Sequence, residues 1–511
     1  MKKYGLLVFI LLFETLHAQV SRVDTLNTPN PFKAISTLVR NYNEDYNIIM
    51  SYGERPNLAL PLDTVKAQSY FYIENINTGD ITKIFALPGG YKVNDIQFVT
   101  LRKVGSDATV DYCFFCGTQT RINSYWSISL DGQPSYLVLE PYTHGFVGFF
   151  KMDDAISPTT GYFAKVRNIE QTKELWRMAC YTEGFGHYYP YQSAYKDNIV
   201  ADIIGVPDTT NAPSCFCRVK CYPDYNGTTK WDNNMRLNIN SLEVMRDIVA
   251  TEDYVVTVSE NLGFNDTIRL RYNDKETHLH SGGLQLRNTY YQVRLSTTYL
   301  WGSFIPGMRF KAPLKLCALP ENQFAMAFQS RIVDGLYTYR YGLSNFLGLI
   351  NGTYEKGVHK LQDLIYMPQS QKIAALMEGE SYPQMTSLTP YSFSIGFGLL
   401  TNVLYHDQYY LQSLYPYQKN GEEYLLWGGI DRSELPNTCV ARQRLVSEED
   451  LMTSCFYYGS DEAASVDIMQ FEQISPFPIF TRYVDNQIKY PVRDIPFLPV
   501  LVEKDATCEI E

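Results

Sequence analysis

Histidine is scarce in this sequence, with seven in 511 residues. Charged residues make up 19%, and acid exceeds base to give a formal net charge of −11. Such a balance argues against a surface built to hold nucleic-acid phosphates. No apolar run reaches the roughly eighteen residues that a membrane-spanning helix needs, so no integral membrane segment is expected. No G-x-S-x-G, H-E-x-x-H, phosphate-binding loop or dinucleotide glycine pattern occurs, and the sequence points to no cofactor and no metal. What is present is 45% hydrophobic residues and an excess of tyrosine, 41 in all. A disordered chain is thereby excluded. The length implies two or three domains, or one large closed fold.

The first eighteen residues read as a secretory signal peptide. Lys2 and Lys3 form the basic region, Gly5 to Phe13 the apolar one, and Leu16-His17-Ala18 a cleavage site. Residues 19–60 are rich in Asn and Pro and read as an irregular extension or a closing strand, with 61–511 forming the main domain. Ten cysteines follow the signal, and export permits disulfides, with Cys439 and Cys508 as candidates. Cys113-Phe-Phe-Cys116 has redox spacing, but aromatics fill the gap, so a strand with its thiols on opposite faces is expected. Cys215, Cys217 and Cys221 lack the partner spacing of a zinc site and read as strand residues.

From about residue 68 the chain alternates short β-type runs with turn signals such as Asn77-Thr-Gly79, Asp131-Gly132, Asn351-Gly352 and Asn420-Gly421. Internal similarities recur. Cys113-Phe-Phe-Cys-Gly117 is matched by Cys455-Phe-Tyr-Tyr-Gly459. An apolar strand carrying aspartate returns at Asp95, Asp202, Asp247 and Asp363. Strand–turn–strand units recur at 246–258, 315–328 and 360–376. Their strands are apolar on both faces, which suits sheets packed face to face. The expected fold is all-β, a β-propeller of six blades, or seven, with long loops.

Tyr91-Lys-Val-Asn-Asp95-Ile, Tyr112-Cys-Phe-Phe-Cys-Gly117 and Gly145-Phe-Val-Gly-Phe-Phe150 together resemble the first blade of a group of uncharacterised exported proteins of gut Bacteroidetes. The resemblance covers about 60 residues and implies a propeller and export, but no activity. The chain departs from that group in a Tyr-rich connection from Tyr181 to Tyr195. Asp-Thr-Leu at 24–26 and three similar tripeptides resemble the O-glycosylation acceptor pattern of the same bacteria.

Two sets of residues are candidates for function. Asp95, Asp202, Asp247 and Asp363 could line a channel mouth as acid and base, or accept backbone N–H groups in a turn or bulge. Repetition favours the structural role, because an active site needs one asymmetric set. Tyr188, Tyr189, Tyr191, Tyr409, Tyr410, Tyr415 and Tyr417 lie in Pro- and Gly-flanked clusters suited to stacking on a sugar or a protein. His278-Leu-His280 and the oxygen-rich stretch from Asp224 to Asn234 read as plain turns. The expectation is a secreted, non-catalytic protein that binds a glycan, peptide or envelope partner and no nucleic acid. The alternatives are a glycosidase or lyase, and a structural surface protein.

Overall fold

The computed structural model describes residues 20–27, 32–54, 65–103, 109–127, 136–156, 163–171, 179–181, 187–188, 199–201, 218–221, 243–251, 254–261, 267–274, 289–293, 309–321, 323–333, 336–344, 349–379, 384–390, 399–463, 469–470, 472–474, 493–496, 498–499 and 503–510. Among these, the helices are two single turns, Met152–Ile156 and Glu448–Met452. The rest is dominated by antiparallel strands in six hydrogen-bonded sheets.

Four-stranded meanders are the repeating unit. Sheet I runs through Lys33–Asn41, Tyr46–Glu54, Ala67–Asn75 and Ile81–Ala86. Sheet II runs through Tyr91–Lys103, Thr109–Ser127, Tyr136–Lys151 and Phe163–Gln171. A small sheet of Ala179–Tyr181, Arg218–Cys221 and Ile199–Ala201 comes next. Sheet III holds Glu243–Ala250, Tyr254–Asn261, Thr267–Asp274 and Thr289–Val293.

A nine-stranded sheet contains two meanders sharing the 19-residue strand Leu349–Met367. Its first part ends sheet IV, after Arg309–Ala318, Phe324–Val333 and Leu336–Ser344. Its second part opens sheet V, before Lys372–Gly379, Met385–Pro390 and Leu399–Tyr405. Sheet VI is Tyr409–Lys419, Glu422–Asp431 and Thr438–Arg444, and its fourth strand is the N-terminal Ser21–Asn27. The segment from Tyr457 to Ile510 adds a further outer strand to each meander.

Successive sheets touch through their opening strands: I with II, II with the small sheet, the small sheet with III, III with IV, and V with VI. Sheet VI in turn touches sheet I. Cores lie between neighbours, and strand alternation feeds two of them at once. On Ala67–Asn75, Phe71 and Ile73 join the core shared with sheet II, while Tyr70 and Tyr72 join the core shared with sheet VI. On Glu422–Asp431, Leu425 and Trp427 face sheet V, and Tyr424 and Leu426 face sheet I. This explains the absence of polar alternation in the sequence of these strands. Asn420-Gly421 closes the two-residue hairpin between Lys419 and Glu422 with both residues at positive φ, 54° and 79°.

Three expectations need correction. Within residues 19–60 an irregular extension does not describe the strands seen: Ser21–Asn27 is the closing strand of the other expectation, in sheet VI, and Lys33–Asn41 and Tyr46–Glu54 open sheet I. The similarity of Cys113–Gly117 to Cys455–Gly459 does not mark equivalent places. The former lies in the second strand of sheet II, whereas Cys455 precedes the outer strand Tyr457–Ala463 of sheet V. The Cys508 candidate is bonded, to Cys455, whereas Cys439 is a buried free thiol, as is Cys113. The three strand–turn–strand units are antiparallel pairs in sheets III, IV and V.

Candidate functional site

The repeated aspartates share one backbone feature. The opening strand of each meander carries a register break: between Ala34 and Ser36 in sheet I, Val93 and Asp95 in II, and Met245 and Asp247 in III. It recurs between Lys311 and Lys315 in IV, Leu361 and Asp363 in V, and Leu411 and Ser413 in VI. A bulge turns a side chain out of the ladder and frees it to bond elsewhere. Gly117 lies opposite the sheet II bulge, where a Cβ would come within 1.9 Å of the Lys92 carbonyl oxygen.

The bulge side chains fasten neighbouring sheets. The amide of Leu316 in sheet IV donates to Asp247 Oδ2 at 2.7 Å, and that of Leu414 in sheet VI to Asp363 Oδ2 at 3.0 Å. Asp363 Oδ1 accepts from Leu364 of its own strand at 3.0 Å. In sheet VI the role passes to Gln412 and Ser413, which accept from the amides of Thr37 (2.7 Å) and Val39 (3.1 Å) in sheet I. Asp95 takes Arg40 Nη2 of sheet I at 2.8 Å and the Ile96 amide at 2.9 Å. Asp95, Asp247 and Asp363 are 1%, 0% and 3% exposed. They are fasteners between sheets, not carboxylates at a channel mouth. Asp202 lies outside the described residues.

The tyrosine candidates divide. Tyr409, Tyr410, Tyr415 and Tyr417 all belong to the opening strand of sheet VI, not to a loop. Tyr409 is buried, its hydroxyl 2.8 Å from Thr507 Oγ1. Tyr410 is half-buried and accepts from Gln362 Nε2 at 2.7 Å. Tyr415 lies under the Arg40 guanidinium, 5.3 Å from its ring centre, and burial raises its phenol above the ordinary value while Arg40 opposes. Tyr417 is buried and stacked on Tyr424 at 5.1 Å. Tyr409 and Tyr417 are therefore packing residues, not exposed stacking platforms. Tyr188 belongs to the short strand His187–Tyr188, parallel to Arg102–Lys103. Tyr189, Tyr191, His278, His280 and the 224–234 stretch lie outside the described residues.

An open pocket of about 260 Å³ lies where turns of sheets I, V and VI meet. Asn41, Asn43 and Glu44 line it from sheet I, Pro368 from sheet V, and Pro416, Tyr417, Gln418 and Glu423 from sheet VI. Asn43 Oδ1 accepts the amides of Asp45 and Tyr46, both at 2.9 Å, and so fixes its turn. Glu423 is buried and accepts the amides of Gln369 (3.0 Å) and Ser370 (2.8 Å), tying the sheet V turn to sheet VI. Glu44 and Gln418 are exposed. Glu423 and Asn43 Oδ1 are taken up by those amides, and Asn41 Nδ2 by Asn43 and Asn47, so the exposed Gln418 amide and Glu44 carboxylate are the groups that face a ligand. With no cation in the lining, they suit a hydroxyl-bearing neutral ligand better than an anion. Of these residues only Tyr417 stood out in the sequence. Asn41-Tyr-Asn-Glu44 looked like any turn, and nothing local ties it to residues about 375 positions away.

No family model matches the chain, and no curated protein does. Among solved structures, a protein of unknown function from Dyadobacter fermentans DSM 18053 aligns over 84% of this chain and 99% of its own, at 7% identity and a TM-score of 0.32. One described as a glycoside hydrolase aligns over 86% and 95%, at 9% identity and a TM-score of 0.26. Likenesses of this size carry no argument about fold or activity.

Proposed function

We propose that the chain is an exported propeller with seven positions, the six meanders and the small sheet, that binds a hydroxyl-rich partner without turning it over. The closed arrangement is supported by the order of sheet contacts, by the meeting of sheets VI and I, and by the N-terminal strand inside the last meander. Export is supported by the character of residues 1–18 and by the Cys455–Cys508 disulfide, which suits an oxidising compartment. The observation that carries the binding reading is the pocket at the junction of sheets I, V and VI. The described repeat aspartates accept backbone amides of their own and neighbouring strands and the Arg40 guanidinium, which weighs against the carbohydrate-active alternative. A glycan, or the glycosylated face of an envelope protein, is the ligand class that this lining fits.

Glycan-array binding, followed by hydrolysis assays on the glycans bound, tests the proposal. Binding with no released product is expected. Gln418→Ala and Glu44→Gln, both at exposed positions, should weaken it about tenfold without changing stability, as the loss of a ligand hydrogen bond does. Release of reducing sugar would establish the enzyme instead. Undiminished binding in both variants would move the site elsewhere.

A further inference from the structure

The C-terminal strands follow an order that no single pairing reveals. Tyr457–Ala463 pairs with Leu399–Tyr405 at the outer edge of sheet V. Met469–Gln470 pairs with Leu349 and Ile350 in sheet IV, and Glu472–Ile474 with Tyr290 to Gln292 in sheet III. Arg493–Pro496 then pairs with Phe163 to Val166 in sheet II, and Leu498–Pro499 with Phe85 and Ala86 in sheet I. Finally Glu503–Ile510 pairs with Ser21–Asn27 in sheet VI, next to where the segment began. The segment visits the sheets in reverse chain order and returns to its start. There Cys508 is bonded to Cys455, across a sequence separation of 53.

We infer that the Cys455–Cys508 disulfide makes this segment a covalent strap around the outer edges of all six meanders, released by reduction. Several of its strands are only two to four residues long. Each such attachment is weak alone, since a short edge pairing adds few hydrogen bonds. Joined in one closed loop they hold together, because each detached strand stays at high effective concentration beside its edge. The strap also pairs part of the outermost ladder of each meander, which would otherwise be open to pairing with another chain. At the clasp, the Cys455 amide donates to Ser21 Oγ at 3.0 Å and Thr507 Oγ1 to the Val23 carbonyl at 3.1 Å. Both cysteines are half-buried, within reach of a small dithiol. One dithiol sulfur attacks the bond to form a mixed disulfide and its second sulfur resolves it, leaving two cysteine thiols and an oxidised dithiol.

Hydrogen exchange read by mass spectrometry on wild type and on Cys455→Ser/Cys508→Ser tests the strap. Protection in the remote strands Phe163–Gln171, Ile81–Ala86 and Thr289–Val293 should fall at least about tenfold in the variant. A change confined to Ser21–Asn27 and Leu399–Tyr405, beside the cysteine-bearing strands, would overturn the inference and leave an ordinary local disulfide. If the variant does not fold, the same comparison on folded wild type with and without dithiothreitol gives the same two outcomes. That the strap encloses the molecule rests on the propeller reading. That reading is probed separately by a cross-link between sheets I and VI, which does not depend on the strap.

Discussion

Asp363 holds its own strand with one oxygen and the next sheet with the other, at 3.0 Å in both cases. Removing it strands two buried amides, so Asp363→Ala should cost about 1–3 kcal/mol per orphaned donor. Asp363→Asn keeps one acceptor and should lose less. Urea unfolding of the two variants checks the order; equal losses would mean that the amides find other partners. His406 is the second residue to test. It is 1% exposed, with Nε2 2.9 Å from Thr386 Oγ1, and it packs edge-on against Phe456 and Trp427. Burial pushes its pKa from 6.5 down to about 3. Above pH 6.5 both folded and unfolded states are neutral, and below it the unfolded chain binds the proton first. Stability attributable to His406 is therefore full above pH 6.5 and is lost toward pH 3, by about 1.4 kcal/mol per unit. Denaturation midpoints of wild type and His406→Gln should diverge over that window; parallel curves would refute the assignment.

At the scale of elements, the closing strand Ser21–Asn27 brings a charge into the interior. Asp24, fully buried, meets Arg442 at 2.5 Å, Arg22 at 2.7 Å and Lys504 at 3.1 Å. Burial alone would raise its carboxyl, but Arg442, Lys504 and Arg22 outweigh burial and hold it below the ordinary value. Glu74 of sheet I bonds the same Arg442 and Lys504, so one ionic cluster joins sheet I, sheet VI and both terminal strands. Asp24→Ala leaves those two cations with Glu74 alone and should destabilise the protein by about 3–5 kcal/mol, measured by thermal or urea unfolding. A loss below 1 kcal/mol would mean the cluster is hydrated. These elements were the hardest to read in the sequence. Ser-Arg-Val-Asp-Thr-Leu does not look like an interior strand, because Arg442 and Lys504, which join Arg22 in pairing with Asp24, lie more than 400 residues away. The bulge aspartates were readable, since Asn-Asp, Arg-Asp and Gln-Asp return in the same apolar setting at 95, 247 and 363. The tyrosines of 409–417 misled because Pro416 suggested a loop. Pro416 instead sits within a strand whose partners are all in place.

At the scale of the whole molecule, the all-β class followed from turn spacing and strands apolar on both faces, and both have a physical basis in sheets packed between two neighbours. The strap was not legible. Two-residue strands carry no pattern, and their register is set by edges they meet only after the meanders exist. The central claim is that the last sheet closes on the first. Ser51 of sheet I and Thr438 of sheet VI are buried with their hydroxyls 2.6 Å apart. Ser51→Cys/Thr438→Cys, mapped by mass spectrometry without reduction, should contain a disulfide between positions 51 and 438. Two alkylatable thiols at those positions, in a variant with the wild-type circular dichroism spectrum, would contradict the closure.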